Sequence, residues 1–256
     1  MLALATPAVA APATPAHATA RAASSAPSID ISVRSNQVER GKKVVVTGTV
    51  TGKKVTKVTL QQKRAGTPWK AQATVKVKAD GSFLLKDKTT TAVIRKYRVV
   101  SASGPRTRSA KVTVGVYAWA DLTKRKARSS MRWSQQKTVA INGTSYGLAF
   151  TSYNWGNIAP LVDFNVNRNC IALRARFGLS DNSDAAARAT VSVVSDGSTV
   201  YAKSFGLTES ELATVPIASP FRVGITATVE NPGNLTPAPN AIAVAAEPEI
   251  LCTSAK

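Results

Sequence analysis

Histidine is all but absent from this 256-residue chain: His17 is the only one. That scarcity excludes a His-dependent triad, a His general base and a His metal site from everything downstream of it. Cysteine is nearly as rare. Cys170 and Cys252 are the only two, with no C-x-x-C and no metal-ligand spacing, so neither a dithiol redox motif nor a zinc site is encoded. Such a pair reads as a disulfide in an exported protein and as two free thiols otherwise. Acidic residues are also few, 14 Asp/Glu against 34 Lys/Arg, for a formal net charge of +20. No apolar run approaches the length of a membrane span. Nothing points to a cofactor or a metal.

What is present is unevenly spread. Residues 28–116 hold 20 Lys/Arg against 4 Asp/Glu, residues 117–140 hold 6 against 1, and residues 141–256 hold 7 against 9. A cationic first half attracts polyanions: nucleic acid, an anionic membrane surface or an acidic wall polymer. No helix-turn-helix, zinc or RNP pattern accompanies the charge, so no specific nucleic-acid partner is predicted.

Residues 1–27 are Ala/Pro/Thr-rich. They offer small-x-small sites at Ala8-Val9-Ala10, Ala16-His17-Ala18 and Ala18-Thr19-Ala20, which reads as the remnant of a signal peptide running into a disordered segment. The expected location is extracellular or wall-associated. A disordered tail with no export role is the other reading.

Residues 28–116 carry a period of two in β-branched runs such as Lys43–Val50, Val55–Gln62, Ala73–Lys78 and Tyr97–Ser101. Turn residues separate them, and Asp80-Gly81 is predicted to close a two-residue hairpin. Six or seven short strands in this span predict a β-sandwich, with Trp69, Phe83 and Tyr97 as core fillers. Lys76 and Lys78, or Arg95, Lys96 and Arg98, are expected to set rows of cations on a solvent face. The order of Gly48, Val58–Gln62, Pro68-Trp69, Ala79–Phe83 and Tyr97-Arg98-Val99 resembles the immunoglobulin-like modules of secreted actinobacterial proteins. That resemblance implies fold and extracellular location, and no particular ligand.

Between about 117 and 138 the period is lost, and the segment reads as a basic linker. Lys124, Arg125, Lys126, Arg128 and Arg132 lie between Trp119 and Trp133, a pattern suited to gripping polyanions or stacking on sugars. The plainer reading is that Trp119 closes the first module and Trp133 opens the second.

Residues 139–256 alternate again. Leu161–Val166, Ile171–Phe177 (ended by Gly178), Ala189–Val194, Ser198–Ala202, Phe221–Val229 and Ala241–Ala245 are predicted strands, and Asp196-Gly197 a hairpin turn. Ile141–Tyr146, Phe164–Cys170, Ala175–Gly178 with Asp181, Val191–Gly197 with Val200-Tyr201, and the closing Glu247–Cys252 occur in the order of the NPCBM family of carbohydrate-binding modules. This resemblance implies a galactose-binding-like jelly roll that recognises carbohydrate. It also implies that Cys170 and Cys252 end neighbouring strands, closing a loop that by chain entropy is worth roughly 4–5 kcal/mol. The His and acidic-Trp groups found in many members are missing here, where Gly147–Gly156 and Ala243–Ala246 stand, so their roles do not carry over.

Tyr153, Asn154, Trp155 and Asn157 combine an aromatic platform with amides, the pairing that sugar rings and hydroxyls require, and are the candidate carbohydrate site. The competing role for Trp155 is a core plug, and Tyr146 is expected to be core. Nine carboxylates stand in this module, and two in principle could flank a glycosidic bond. Most have local explanations; Glu209 and Glu211 suit a helical turn opening at Thr208. The expectation is an all-β, non-catalytic binding protein whose partners are a glycan or an acidic wall polymer. The alternative is a structural cell-surface protein mediating protein–protein contact.

Overall fold

The computed structural model describes residues 26–52, 54–153, 159–231, 236 and 238–253; the leader reading falls almost wholly outside them. The chain is nearly all β. Its first eight strands are β1 (Ser28–Val33), β2 (Gln37–Glu39), β3 (Lys43–Thr51), β4 (Lys57–Arg64), β5 (Lys70–Lys76), β6 (Ser82–Lys88), β7 (Ile94–Ser101) and β8 (Val112–Asp121). Then come a single 3-10 turn (Leu122–Lys124), β9 (Ser129–Met131), β10 (Trp133–Gln136), β11 (Val139–Ile141), β12 (Thr144–Tyr146), β13 (Ala149–Ser152) and β14 (Leu161–Asn165). The last six are β15 (Cys170–Leu179), β16 (Arg188–Ser195), β17 (Ser198–Gly206), β18 (Ser210–Pro216), β19 (Arg222–Glu230) and β20 (Ala243–Cys252).

In the first module the sheet β1-β3-β6 faces a second sheet in which β2, β8, β7, β4 and β5 are successive neighbours. The alternating residues predicted to point inward meet between them: Val44, Val46, Val58, Leu60, Phe83, Leu85, Tyr97 and Val99 form one core. Burying these β-branched and aromatic side chains is the main favourable term for the module. Trp69 departs from expectation. It lies half-buried on the surface with the Arg98 guanidinium stacked 4.2 Å from its ring centre.

Asp80-Gly81 does turn tightly, with Gly81 at φ +82 and its N–H donating to Lys78 O. It does not close a hairpin. β5 pairs with β4 and β6 with β3, so the turn passes the chain from one sheet to the other. A Cβ on Gly81 would lie 2.6 Å from Val50 O, which is why glycine is needed there.

Arg95 also departs from expectation. It shares the inward face of β7 with Tyr97 and Val99 and is 2% exposed. Its Nη1 donates to Asp87 Oδ2 at 3.0 Å and to Gln62 Oε1 at 3.3 Å, and its Nη2 to Thr91 O. Tyr97 Oη donates to the same Asp87 oxygen at 2.6 Å. Burial, then the bond to Asp87, raise the Tyr97 phenol well above its usual range. A raised acid contributes stability that is whole below the unfolded value of 10.0 and is lost as pH climbs from there toward the folded value. The thermal midpoint is therefore expected to drop on the alkaline side of pH 10, and Tyr97→Phe to remove part of that slope.

The second module packs β17-β16-β19-β14-β9 against a sheet containing β10-β13-β20 with β15 and β18. This is the two-sheet jelly-roll sandwich expected. The core between the sheets gathers Phe164, Phe177, Leu173, Leu179, Val191, Val193, Phe205 and Ile225. Asp196-Gly197 closes the β16–β17 hairpin with both residues at positive φ, 47° and 89°. Gly178 does not end its strand: β15 runs on to Leu179, and a Cβ at Gly178 would meet Glu209 O at 2.7 Å.

Thr208 opens no helix. It sits in a turn at φ 74°, and Glu211 belongs to β18, a strand the sequence reading missed. Ala241–Ala245 and Ile250–Cys252, read as separate, largely belong to one strand, β20, interrupted by a bulge near Glu247 at φ 48°. Its first half is apolar on both faces, because Ala243 and Ala245 enter the main core while Val244 and Ala246 pack under the β11–β12 hairpin.

Residues 117–138, read as a linker, carry the end of β8, the 3-10 turn, β9 and all of β10. β8 pairs with β7 through Val112–Gly115 and with β20 through Ala118–Asp121. One strand thus belongs to both modules, and β13 and β8 occupy successive stretches of the same edge of β20. No described helix is long and apolar enough to cross a membrane.

Candidate binding sites

Tyr153 leaves β13 at the rim of a cleft of about 520 Å³. Its backbone N–H donates to Arg132 O, and its ring is 43% exposed. Asn154, Trp155 and Asn157, the other members of the predicted site, lie outside the described residues. The cleft is walled by hydroxyls and amides, among them Ser145, Thr151, Ser180, Asn182 and Asn240, and no charged residue lines it among the described residues. Several hydroxyls hold the frame: Ser152 Oγ accepts from Ala243 N, and Ser180 Oγ from Asn182 N. The carboxamides of Asn182 and Asn240 make no hydrogen bond among the described residues, so their donors and acceptors face the opening uncommitted. The sequence reading found Tyr153 and missed these two, which lie far from it in the chain and enter no motif.

The five cations of the basic tract differ in exposure and engagement. Lys124, highly exposed, stands 3.6 Å from Asp121 Oδ2, and Lys126 is exposed. Arg125 turns inward, with Nη1 4.0 Å from Cys170 Sγ, and burial lowers its pKa. Arg128 donates from Nε at 2.9 Å and Nη2 at 2.6 Å to Asp163 Oδ2. Arg132 is half-buried at φ 56°. Trp133 is core, and Trp119 carries the Arg174 guanidinium 4.3 Å from its ring centre.

A denser cationic site lies in the first module. Arg64, Lys70, Lys88 and the buried Arg95 line a cleft of about 510 Å³ with Asp87 as its single carboxylate. Sequence reasoning missed it because β4, β5, β6 and β7 each supply a single cation.

Every carboxylate of the second module has a structural partner. Asp163 holds Arg128, Glu249 holds Arg174, Arg188 lies between Glu209 and Glu230, and Glu211 pairs with Lys203. Asp181 accepts from the backbone N–H groups of Asn142 and Gly143, Asp184 from Asn240, Glu247 from Gly147. Asp196 accepts from Arg222 and Phe221 N–H, and those bonds hold its carboxyl below the ordinary range. Thr190 Oγ1 donates to Glu230 and lowers it likewise. Among the described residues no group of His, Cys, Asp and Glu is arranged to hold a metal ion. Cys170 and Cys252 are joined as a disulfide, at the paired ends of β15 and β20.

No family model matches the sequence, and no curated protein matches it. Among solved structures, the second CBM51 and INT domains of Clostridium perfringens ZmpB in complex with GlcNAc align at 10% identity and a TM-score of 0.43, over 63% of this chain and 38% of that one. The chain thus spans well under half of that structure's length. The CBM51 of Clostridium perfringens GH95 in complex with methyl-galactose aligns at 11% identity and a TM-score of 0.40, over 52% of this chain and 99% of that one. CBM36 in complex with calcium and xylotriose aligns at 12% identity and a TM-score of 0.27, over 52% and 96%.

Proposed function

We propose that this chain is a secreted, non-catalytic binding protein that recognises a neutral glycan in the Tyr153 cleft and is retained on an acidic wall polymer by its basic module. The observation that carries the reading is the composition of the cleft: an exposed aromatic ring, two uncommitted carboxamides and hydroxyls, with no charge among the described residues. Sugar hydroxyls need paired donors and acceptors, and the apolar face of a pyranose needs an aromatic ring. Hydrolysis, by contrast, needs a carboxylate with a perturbed environment facing the substrate, and every carboxylate of this module is spent on structure.

The disulfide supports an oxidising compartment. The order β5-β4-β7-β8 opposite β1-β3-β6 supports an immunoglobulin-like first module. The motif order in the second supports NPCBM kinship. Retention falls to the Arg64, Lys70 and Lys88 cleft and its surrounding cations, whose attraction for polyanions weakens steeply with salt.

Sedimentation with insoluble glycans and purified walls, at low and high salt, tests both parts. Binding in high salt that free sugar competes, and that Tyr153→Ala weakens about tenfold (~1.4 kcal/mol of lost stacking and contact), is the expected result. Binding that salt abolishes and no sugar competes would leave only the electrostatic half standing.

A further inference from the structure

The outer face of the five-stranded sheet holds a groove whose lining is drawn together only by the fold. Pairing register aligns Val194, Gly224, Asp163 and Ser129 across β16, β19, β14 and β9. Gly224 has no side chain, so the row dips between its neighbours. A Cβ there would sit 3.1 Å from Leu161 Cδ1 and 3.3 Å from Asp163 Cβ. The dip widens toward the end of the sheet, where the β14–β15 turn brings Arg168 and the β16–β17 turn brings Asp196. The resulting cavity is about 600 Å³, lined by Arg128, Asp163, Arg168, Asp196, Phe221 and Arg222 among others.

Its charges are arranged unequally. Both carboxylates are already engaged: Asp163 by the Arg128 fork, Asp196 by two backbone N–H groups. Of the three guanidiniums, only Arg128 is committed. Those of Arg168 and Arg222 make no hydrogen bond or ion pair among the described residues, and they feel Asp196 only through space. Phe221 is 44% exposed beside them. Asp163, 6% exposed, keeps one oxygen, Oδ1, without any hydrogen-bond partner.

A ligand matching this lining carries an anion for the two arginines and an apolar face for Phe221. We propose that the groove binds a carboxylate-bearing sugar residue, a uronate-type unit of an acidic polysaccharide. Guanidinium pairs with carboxylate in a planar, bidentate fork. A neutral sugar would leave both arginines facing the cavity unpaired, and inorganic phosphate would leave Phe221 unused. The groove stands on its own lining and does not depend on the Tyr153 cleft.

Titration calorimetry of the full chain with an oligo-uronate, and with the same oligosaccharide reduced at its carboxyls, tests this. The oligo-uronate is expected to bind and the reduced form to lose at least tenfold. Arg222→Gln and Arg168→Gln should each weaken binding about fivefold or more, and Phe221→Ala similarly. Gly224→Leu, which fills the floor, should abolish it. The Gln variants keep the backbone bonds of the site, so they report on binding if Gly224→Leu fails to fold. The charge-matched pair Lys111→Gln/Lys137→Gln, outside the groove, should change little. Equal losses from that pair, or equal binding of the reduced oligosaccharide, would overturn the proposal in favour of general attraction. Tyr153→Ala acts on neutral glycan alone, so the groove and the cleft succeed or fail separately.

Discussion

Replacing Asp87 with alanine is expected to cost the chain about 3–5 kcal/mol, the usual penalty for stranding one member of a buried ion pair. Asp87 is 7% exposed and Arg95 2%, so the guanidinium left behind, at the floor of its cleft, is poorly solvated. One carboxylate oxygen, Asp87 Oδ2, receives both the Arg95 Nη1 and the Tyr97 hydroxyl, so its loss unpairs two groups at once. The pair also spans the sandwich, since β6 lies in the three-stranded sheet and β7 in the other. Arg95→Met in the same background should recover much of the loss, because an apolar chain of similar length needs no partner. Denaturant melts of the four members of this double-mutant cycle give the answer. A loss below about 1 kcal/mol for Asp87→Ala would mean that water reaches Arg95 freely.

Removing the disulfide is expected to have a comparable effect on the other module. Cys170 and Cys252 enclose 82 residues of separation, and the chain-entropy estimate for a loop of that size is about 4–5 kcal/mol. Both sulfurs lie in the core, at 0% and 2% residue exposure, so alanine is the better replacement: serine would add the cost of a buried hydroxyl. The Cys170→Ala/Cys252→Ala chain should melt well below the parent. Reducing agent should act slowly on the native protein and quickly once it is unfolded. A melting point unchanged within a degree or two would show that the β15–β20 ladder closes the loop without covalent help.

The parts legible in the sequence were those that local chemistry decides. Alternation of Val44, Val46, Val58 and Leu60 placed the first core, and Asp196-Gly197 closed its hairpin because both positions need positive φ. The parts that were not legible depend on partners distant in the chain. Arg95 looks like one more surface cation until Asp87 and Gln62 are brought to it from β6 and β4. Asp80-Gly81 carries the signature of a hairpin, yet β3 and β4 outcompete the local pairing of β5 with β6. Ser210–Pro216 becomes a strand because β15 offers it a full edge, overriding the helical cue at Thr208. Of the candidate carbohydrate site, Tyr153 was visible as an aromatic beside amides, whereas Asn182 and Asn240 join it only through the fold. The groove was invisible for the same reason: its lining comes from four separate stretches, and its floor is the absence of a side chain at Gly224.

The sharing of β8 has a mechanical consequence. Tension applied between the two modules would run lengthwise along a single extended strand. Its ladders to β7 and β20 lie across that direction, so their hydrogen bonds would resist sliding together, as a set, rather than peel apart one after another. At the near end of the second ladder, Ala118 lies opposite Cys252, which the covalent bond ties to Cys170 on β15. The load therefore passes from β8 through β20 into the body of the jelly roll.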